Sequence, residues 1–124
     1  MDFEVNPGYN DDMRPLYHPA AGEITVQGIL YALSDPARVR IFIDLLDAEC
    51  AKNCSTFANI NKTPLPKSTL SQHFKILRES GLVRSVRKGV ELQNEANCSA
   101  ELKQRFGAMI HEILLAYQDE AKRA

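Results

Sequence analysis

The chain has 124 residues, 44% hydrophobic and 25% charged, which suits one folded domain with one core. Those proportions exclude a disordered, collagenous or disulfide-scaffold protein, and no apolar run reaches the roughly 18 residues a membrane span needs. Net charge is only -1, so charge summed over the whole chain points to no polyanionic partner.

Residues 1–22 contain Pro7, Gly8, Asn10, Asp11, Asp12, Pro15, Pro19 and Gly22 without any period, and read as a loose N-terminal arm able to dock locally. From residue 23 to 121 the pattern is that of one domain. Ile24, Val26, Ile29, Leu30 and Leu33 recur at helical spacing and define a first helix. Asp35 followed by Pro36 is a cap and first-turn pair, because the carboxylate accepts an unpaired amide and proline's fixed φ suits a helix start. A second helix over 36–47 then faces inward with Val39, Phe42, Ile43 and Leu46.

Residues 50–61 are weakly patterned, and Ser55 or Asn53 could cap a short third helix carrying Phe57, Ala58 and Ile60. Pro64 and Pro66 break any helix at a turn, since a proline disfavours the α region for the residue before it. The stretch KSTLSQHFKILRESGLV (67–83) predicts a fourth helix with Leu70, Phe74 and Leu77 inward and Gly81 as its stop. Alternation over 82–87 and 90–94, joined at Lys88 and Gly89, predicts a small β-hairpin. Finally, residues 99–120 place Leu102, Phe106, Met109, Ile110, Ile113, Leu114 and Tyr117 on one stripe of a long helix. That stripe packs either on the domain's own core or on a second copy of the chain. The expected class is mainly α with a small hairpin, in the order α-α-α-α-β-β-α.

Charge is distributed unevenly along this order. Residues 62–92 hold seven bases and two acids, a net of +5, whereas the remaining eight bases and fourteen acids sum to -6. A compact basic stretch in an acidic chain suits phosphate contacts, because each base near a phosphate releases condensed counterions. At 100° per residue, Ser68, Gln72, Lys75 and Glu79 fall roughly 140° to 200° from Leu70, with Thr69 and Ser71 flanking that outer face. Such a row offers hydroxyl and amide groups to base edges and a charge to phosphate. The hairpin behind it brings Arg84, Arg87 and Lys88 within reach of a neighbouring phosphate run or minor groove. Helix-turn-helix plus basic hairpin is the winged form of a double-stranded DNA reader.

The stretches LSDPAR (33–38), STLSQHF (68–74) and LRESGLV (77–83) resemble the ArsR/SmtB family of bacterial winged helix-turn-helix regulators over about residues 18–117. The resemblance implies a homodimeric repressor on a palindromic operator, joined through first and last helices and released by an effector. It implies DNA contacts at Lys67, Ser68, Thr69, Ser71, Gln72 and His73, with the wing at Arg84, Arg87 and Lys88; Lys75 joins them on charge and position. His73, at about -60° on the core's flank, is either such a contact or a packed, hydrogen-bonded histidine. The dimer expectation falls on Ile29, Leu102, Phe106, Met109, Ile110, Ile113 and Tyr117.

Many relatives sense soft metals or arsenite through Cys-x-Cys in the third helix, or zinc-type ions through Asp-x-His and His-x-x-Glu in the last. This chain has neither, so no metal site and no cofactor is expected, and the effector stays unassigned. Its thiols are Cys50, Cys54 and Cys98, in a chain whose acidic start, MDFE, is unlike a signal peptide and suits a reducing cytoplasm. They are either small buried hydrophobes, a redox or sulfur sensor, or a soft-metal and arsenite site. An enzyme is not expected: Ser71 and His73 lie about 200° apart on their helix, and no glycine-rich phosphate or oxyanion loop accompanies them. A winged helix used for protein contacts would show apolar residues on the outer face, where Ser68, Gln72 and Lys75 stand instead.

Overall fold

The computed structural model describes residues 16–48, 52–53 and 66–123. After a 3-10 turn at Ala21–Glu23 come α1 (Val26–Ala32), α2 (Pro36–Asp47), β1 (Lys52–Asn53), α3 (Lys67–Ser80), β2 (Val83–Lys88), β3 (Glu91–Ala96) and α4 (Ala100–Arg123). Local chemistry sets most of these boundaries. Thr25 Oγ1 accepts the Gly28 N–H at 3.0 Å to cap α1, Asp35 Oδ1 accepts the Ala37 N–H at 2.8 Å to cap α2, and Ser99 Oγ accepts the Leu102 N–H at 3.2 Å to cap α4. Gly81 ends α3 in the left-handed conformation at φ 93°, donating its N–H back to Arg78 O.

The three strands form one antiparallel sheet in the order β1-β3-β2. Ser85 stands opposite Asn94 and Lys88 opposite Glu91, so Gly89 and Val90 make a two-residue turn, with Gly89 at φ 63° supplying the backbone such a turn requires. The third strand was not legible in the weak pattern of residues 50–61. Lys52 pairs with Asn94 and Asn53 with Gln93, so the chain is extended where a helix cap was expected. Ser55, Phe57, Ala58 and Ile60, and with them the expected third helix, lie outside the described residues, as does Pro64. The described order is α-α-β-α-β-β-α.

The core gathers Ile29, Leu33, Ile41, Phe42, Leu45, Leu70, Phe74, Leu77, Leu82, Leu102 and Phe106 from every helix and the start of the hairpin. Its central element is α2, which buries Ala37, Arg38, Val39, Ile41, Phe42 and Leu45, while Leu46 is exposed and Ile43 half-buried. The inward face is therefore rotated toward Ile41 and Leu45 relative to the expected one, because a helix packed by neighbours on several sides lacks a single stripe.

The residues expected at a dimer interface divide by burial. Ile29, Leu102, Phe106 and Ile110 are 0%, 4%, 6% and 8% exposed within the single chain and belong to its own core. Met109, Ile113 and Tyr117 are half-buried against that core, and Tyr117 Oη donates to Leu33 O at 2.6 Å. Apolar surface instead stays open on α1, at Val26 (48%), Leu30 (49%) and Tyr31 (60%), and on α4 at Leu115 (44%).

The described part of the arm is docked. Ala20 N–H and Tyr17 Oη both donate to Glu23 Oε1, at 2.8 and 3.3 Å, Arg105 Nη1 donates to Ala21 O at 2.8 Å, and His18 meets the hairpin. Residues 16–22 thus pack against the domain that follows; the rest of the expected arm lies outside the described residues.

Candidate nucleic-acid interface

α3 presents the two faces that its spacing predicted. Leu70, Phe74 and Leu77 are buried, while Lys67, Ser68, Thr69, Ser71, Gln72, Lys75 and Glu79 are exposed. The separation follows from helix geometry, since residues three and four apart share a face and the apolar ones find α1 and α2 beneath them. Pro66 leads into the helix at φ -57° and ψ 145°, and its carbonyl accepts the Leu70 N–H at 3.0 Å. The N-terminal turn, where backbone amides lack partners within the helix, thus opens among Lys67, Ser68 and Thr69.

His73 takes the packed alternative. It is 9% exposed, and its Nδ1 lies 3.2 Å from Arg38 Nη1. A guanidinium only donates, so Nδ1 accepts and the ring is neutral. Burial is the largest influence lowering its pKa below the ordinary 6.5, Arg38 lowers it further, and Asp35 partly opposes both. His73 therefore ties α3 to Arg38 of α2.

Arg38, itself 6% exposed, is the partner that spacing alone did not single out. Nε donates to Ala32 O at 2.7 Å and Nη2 to Tyr31 O at 3.2 Å, satisfying carbonyls at the end of α1. Asp35 Oδ2 stands 3.7 Å from Nη1, and the Tyr31 ring centroid is 5.3 Å from the guanidinium carbon. One buried cation thereby joins α1, the start of α2 and the recognition helix. The signal available in sequence was its place in LSDPAR.

The hairpin behaves as a wing. Arg84 and Lys88 are exposed and Arg87 is half-buried along β2 and its tip. Beneath them Ser85 Oγ donates to the buried Asn94 Oδ1 at 2.5 Å and accepts from Arg78 Nη1 at 3.3 Å, tying both strands to the last turn of α3. Recognition helix and wing are thus fixed to each other through side chains, with their polar and basic groups outward. No group of three or more His, Cys, Asp or Glu side chains suited to a metal is found among the described residues. Of the thiols only Cys98 is described, and it is exposed on an open cleft of about 500 Å³ lined also by Leu45, Leu46, Arg84 and Glu95. Cys50 and Cys54 lie outside the described residues. Among the described residues, no helix is long and apolar enough to cross a membrane.

A family model described as a helix-turn-helix domain matches residues 33–86, from the end of α1 through the first strand of the wing. No curated protein matches the chain. Among solved structures it is similar to an ArsR-like transcriptional regulator from Rhodococcus sp. RHA1, with 27% identity over 80% of this chain and 92% of that one and a TM-score of 0.47. The match over residues 33–86 thus places a helix-turn-helix domain on α2, α3 and the start of the hairpin, and the hairpin behind α3 gives it the winged form.

Proposed function

We infer that the chain is a homodimeric repressor that places α3 of each copy in successive major grooves of a palindromic operator and lets go when an effector or a thiol modification intervenes. The observation that carries this reading is the exposed row Ser68, Gln72 and Lys75 on α3, held outward by a buried apolar face and flanked by the basic wing. Ser68, Thr69, Ser71 and Gln72 meet base edges and backbone near the helix start; Lys67, Lys75, Arg84, Arg87 and Lys88 meet phosphates. The same polar face argues against a winged helix kept only for protein contacts.

Release by thiol chemistry is favoured by one observation, the exposed Cys98 sulfur beside the cleft between α2, the hairpin and α4. The arsenite or soft-metal version would recruit Cys50 and Cys54 as well, since three thiolates suit such ions.

Fluorescence anisotropy of the chain against DNA from upstream of its own gene, with random duplex as control, tests the reading. Tighter binding to the upstream DNA is expected, weakened by a mild thiol oxidant or arsenite and restored by a dithiol. Equal affinity for both duplexes would refute operator recognition, and specific binding indifferent to both reagents would remove the cysteines from the mechanism.

A further inference from the structure

The wing hangs at the edge of its sheet, and its outer side is closed by a side chain from before α1. Among the described strands, in the order β1-β3-β2, β2 has a neighbour on one side only. Ser85 turns its N–H away from β3 to that open side, where it donates to His18 Nε2 at 3.0 Å. An edge amide left without a partner in a half-buried place is costly, and a ring nitrogen 67 residues away in sequence supplies the acceptor. Ser85 is also the residue whose hydroxyl joins Asn94 to Arg78. One residue therefore ties the wing to α3 through its side chain and to the arm through its backbone.

We propose that His18 is a positioning residue for the DNA-reading wing, and that its protonation unclasps the arm from β2 and weakens operator binding. This rests on the DNA-binding reading above. Only the neutral ring can accept at Nε2. A charged ring would lose the Ser85 bond and face two cations, Arg84 on β2 and Arg78 on α3. Burial first, then those two guanidinium groups, already hold the His18 pKa below its ordinary 6.5, while a hydrogen bond to the Leu16 backbone works the other way. The acids on this side, Glu23 and Glu79, act on the neighbouring Tyr17. The chain thus carries a wing that is clasped near neutrality and loosened as pH falls below about 6.5.

The test compares the wild-type chain with His18→Gln, whose side-chain oxygen can replace Nε2 as acceptor but cannot titrate, and with His18→Ala, which has no acceptor. At pH 7.5 the Gln variant should bind the upstream duplex within about twofold of wild type and the Ala variant about threefold to tenfold more weakly, the worth of one such bond. As pH is lowered from 7.5 to below 6.5 the wild type should weaken progressively relative to His18→Gln, and the ratio of the two cancels every pH effect they share. Parallel pH profiles for wild type and His18→Gln would overturn the proposal. A second readout needs no DNA: in an NMR titration the Ser85 amide should shift with the midpoint of the His18 ring in wild type and stay still in His18→Gln. A Ser85 amide deaf to His18 would overturn the clasp even if DNA binds. A chain that follows the amide prediction yet binds no duplex at any pH would instead refute the DNA-binding reading and, with it, the wing's role.

Discussion

At Gly81 a single residue decides how the recognition helix hands the chain to the wing. Its φ of 93° belongs to the left-handed region, and a Cβ built there would lie 2.5 Å from Ile24 Cδ1 and 2.6 Å from Ile24 Cγ1. Ile24 is itself buried and has little freedom to give way. Gly81→Ala should therefore cost about 1–3 kcal/mol from the backbone, with the clash added to it; a urea midpoint equal to wild type would contradict this. His73 makes a second prediction at this scale. Its folded pKa lies below the unfolded value of 6.5, so the unfolded chain takes up its proton first as pH drops. Full stability from this group is present above about pH 6.5 and is lost as pH falls toward the lowered folded value; His18 acts in the same direction. Urea unfolding should show a lower midpoint at pH 5.5 than at 7.5, before most carboxylates titrate. His73→Asn, which keeps an acceptor near the Nδ1 position for Arg38, should flatten part of that slope, and an unchanged slope would show that the ring's burial is not its source.

At the scale of elements, the recognition helix and the wing invite different losses. Gln72 sits on the exposed face of α3 with an amide that can pair with a base edge, so Gln72→Ala should reduce discrimination between operator and random DNA by about 1–3 kcal/mol. Lys88, exposed at the wing tip, should act on all sequences alike: Lys88→Ala should weaken operator and random duplex together and lower the salt slope by about one. If Lys88→Ala altered preference and left the slope alone, the two roles would have to be exchanged. These elements were legible beforehand because each has one wet and one dry face, which turns spacing into orientation. α2 was less so, since burial on several sides erases the stripe and Leu46 reads like Leu45. β1 escaped because two residues carry no period at all, and its pairing depends on β3, some forty residues later. The polar joints Arg38 to His73 and His18 to Ser85 escaped for the same reason: each links residues far apart in sequence, and only the folded chain brings donor to acceptor.

For the whole molecule the question is what covers the apolar surface that one chain leaves open. A periodic stripe on the last helix invited the reading that it meets a partner, yet the structure spends Leu102, Phe106 and Ile110 on the chain's own core. On the first and last helices the exposed apolar residues are Val26 and Leu30, one helical turn apart on α1, with Tyr31 beside them, and Leu115 in the second half of α4. The Tyr117 hydroxyl bonded to Leu33 O keeps that half of α4 beside the end of α1, so both exposed sets can belong to one surface. A twofold axis there would bring like surfaces together, as an isologous interface requires, and leave α3 and the wing of each copy free for DNA. Leu30→Glu should then yield a folded monomer, with circular dichroism and melting close to wild type but half the mass by light scattering and much weaker operator binding. Phe106→Ala should do the opposite: it should lower stability by about 3–5 kcal/mol through a core cavity, and whatever protein stays folded should keep its mass. A Leu30→Glu chain that remained dimeric would move the interface away from α1, and one that failed to fold would show that Leu30 supports the chain's own core after all.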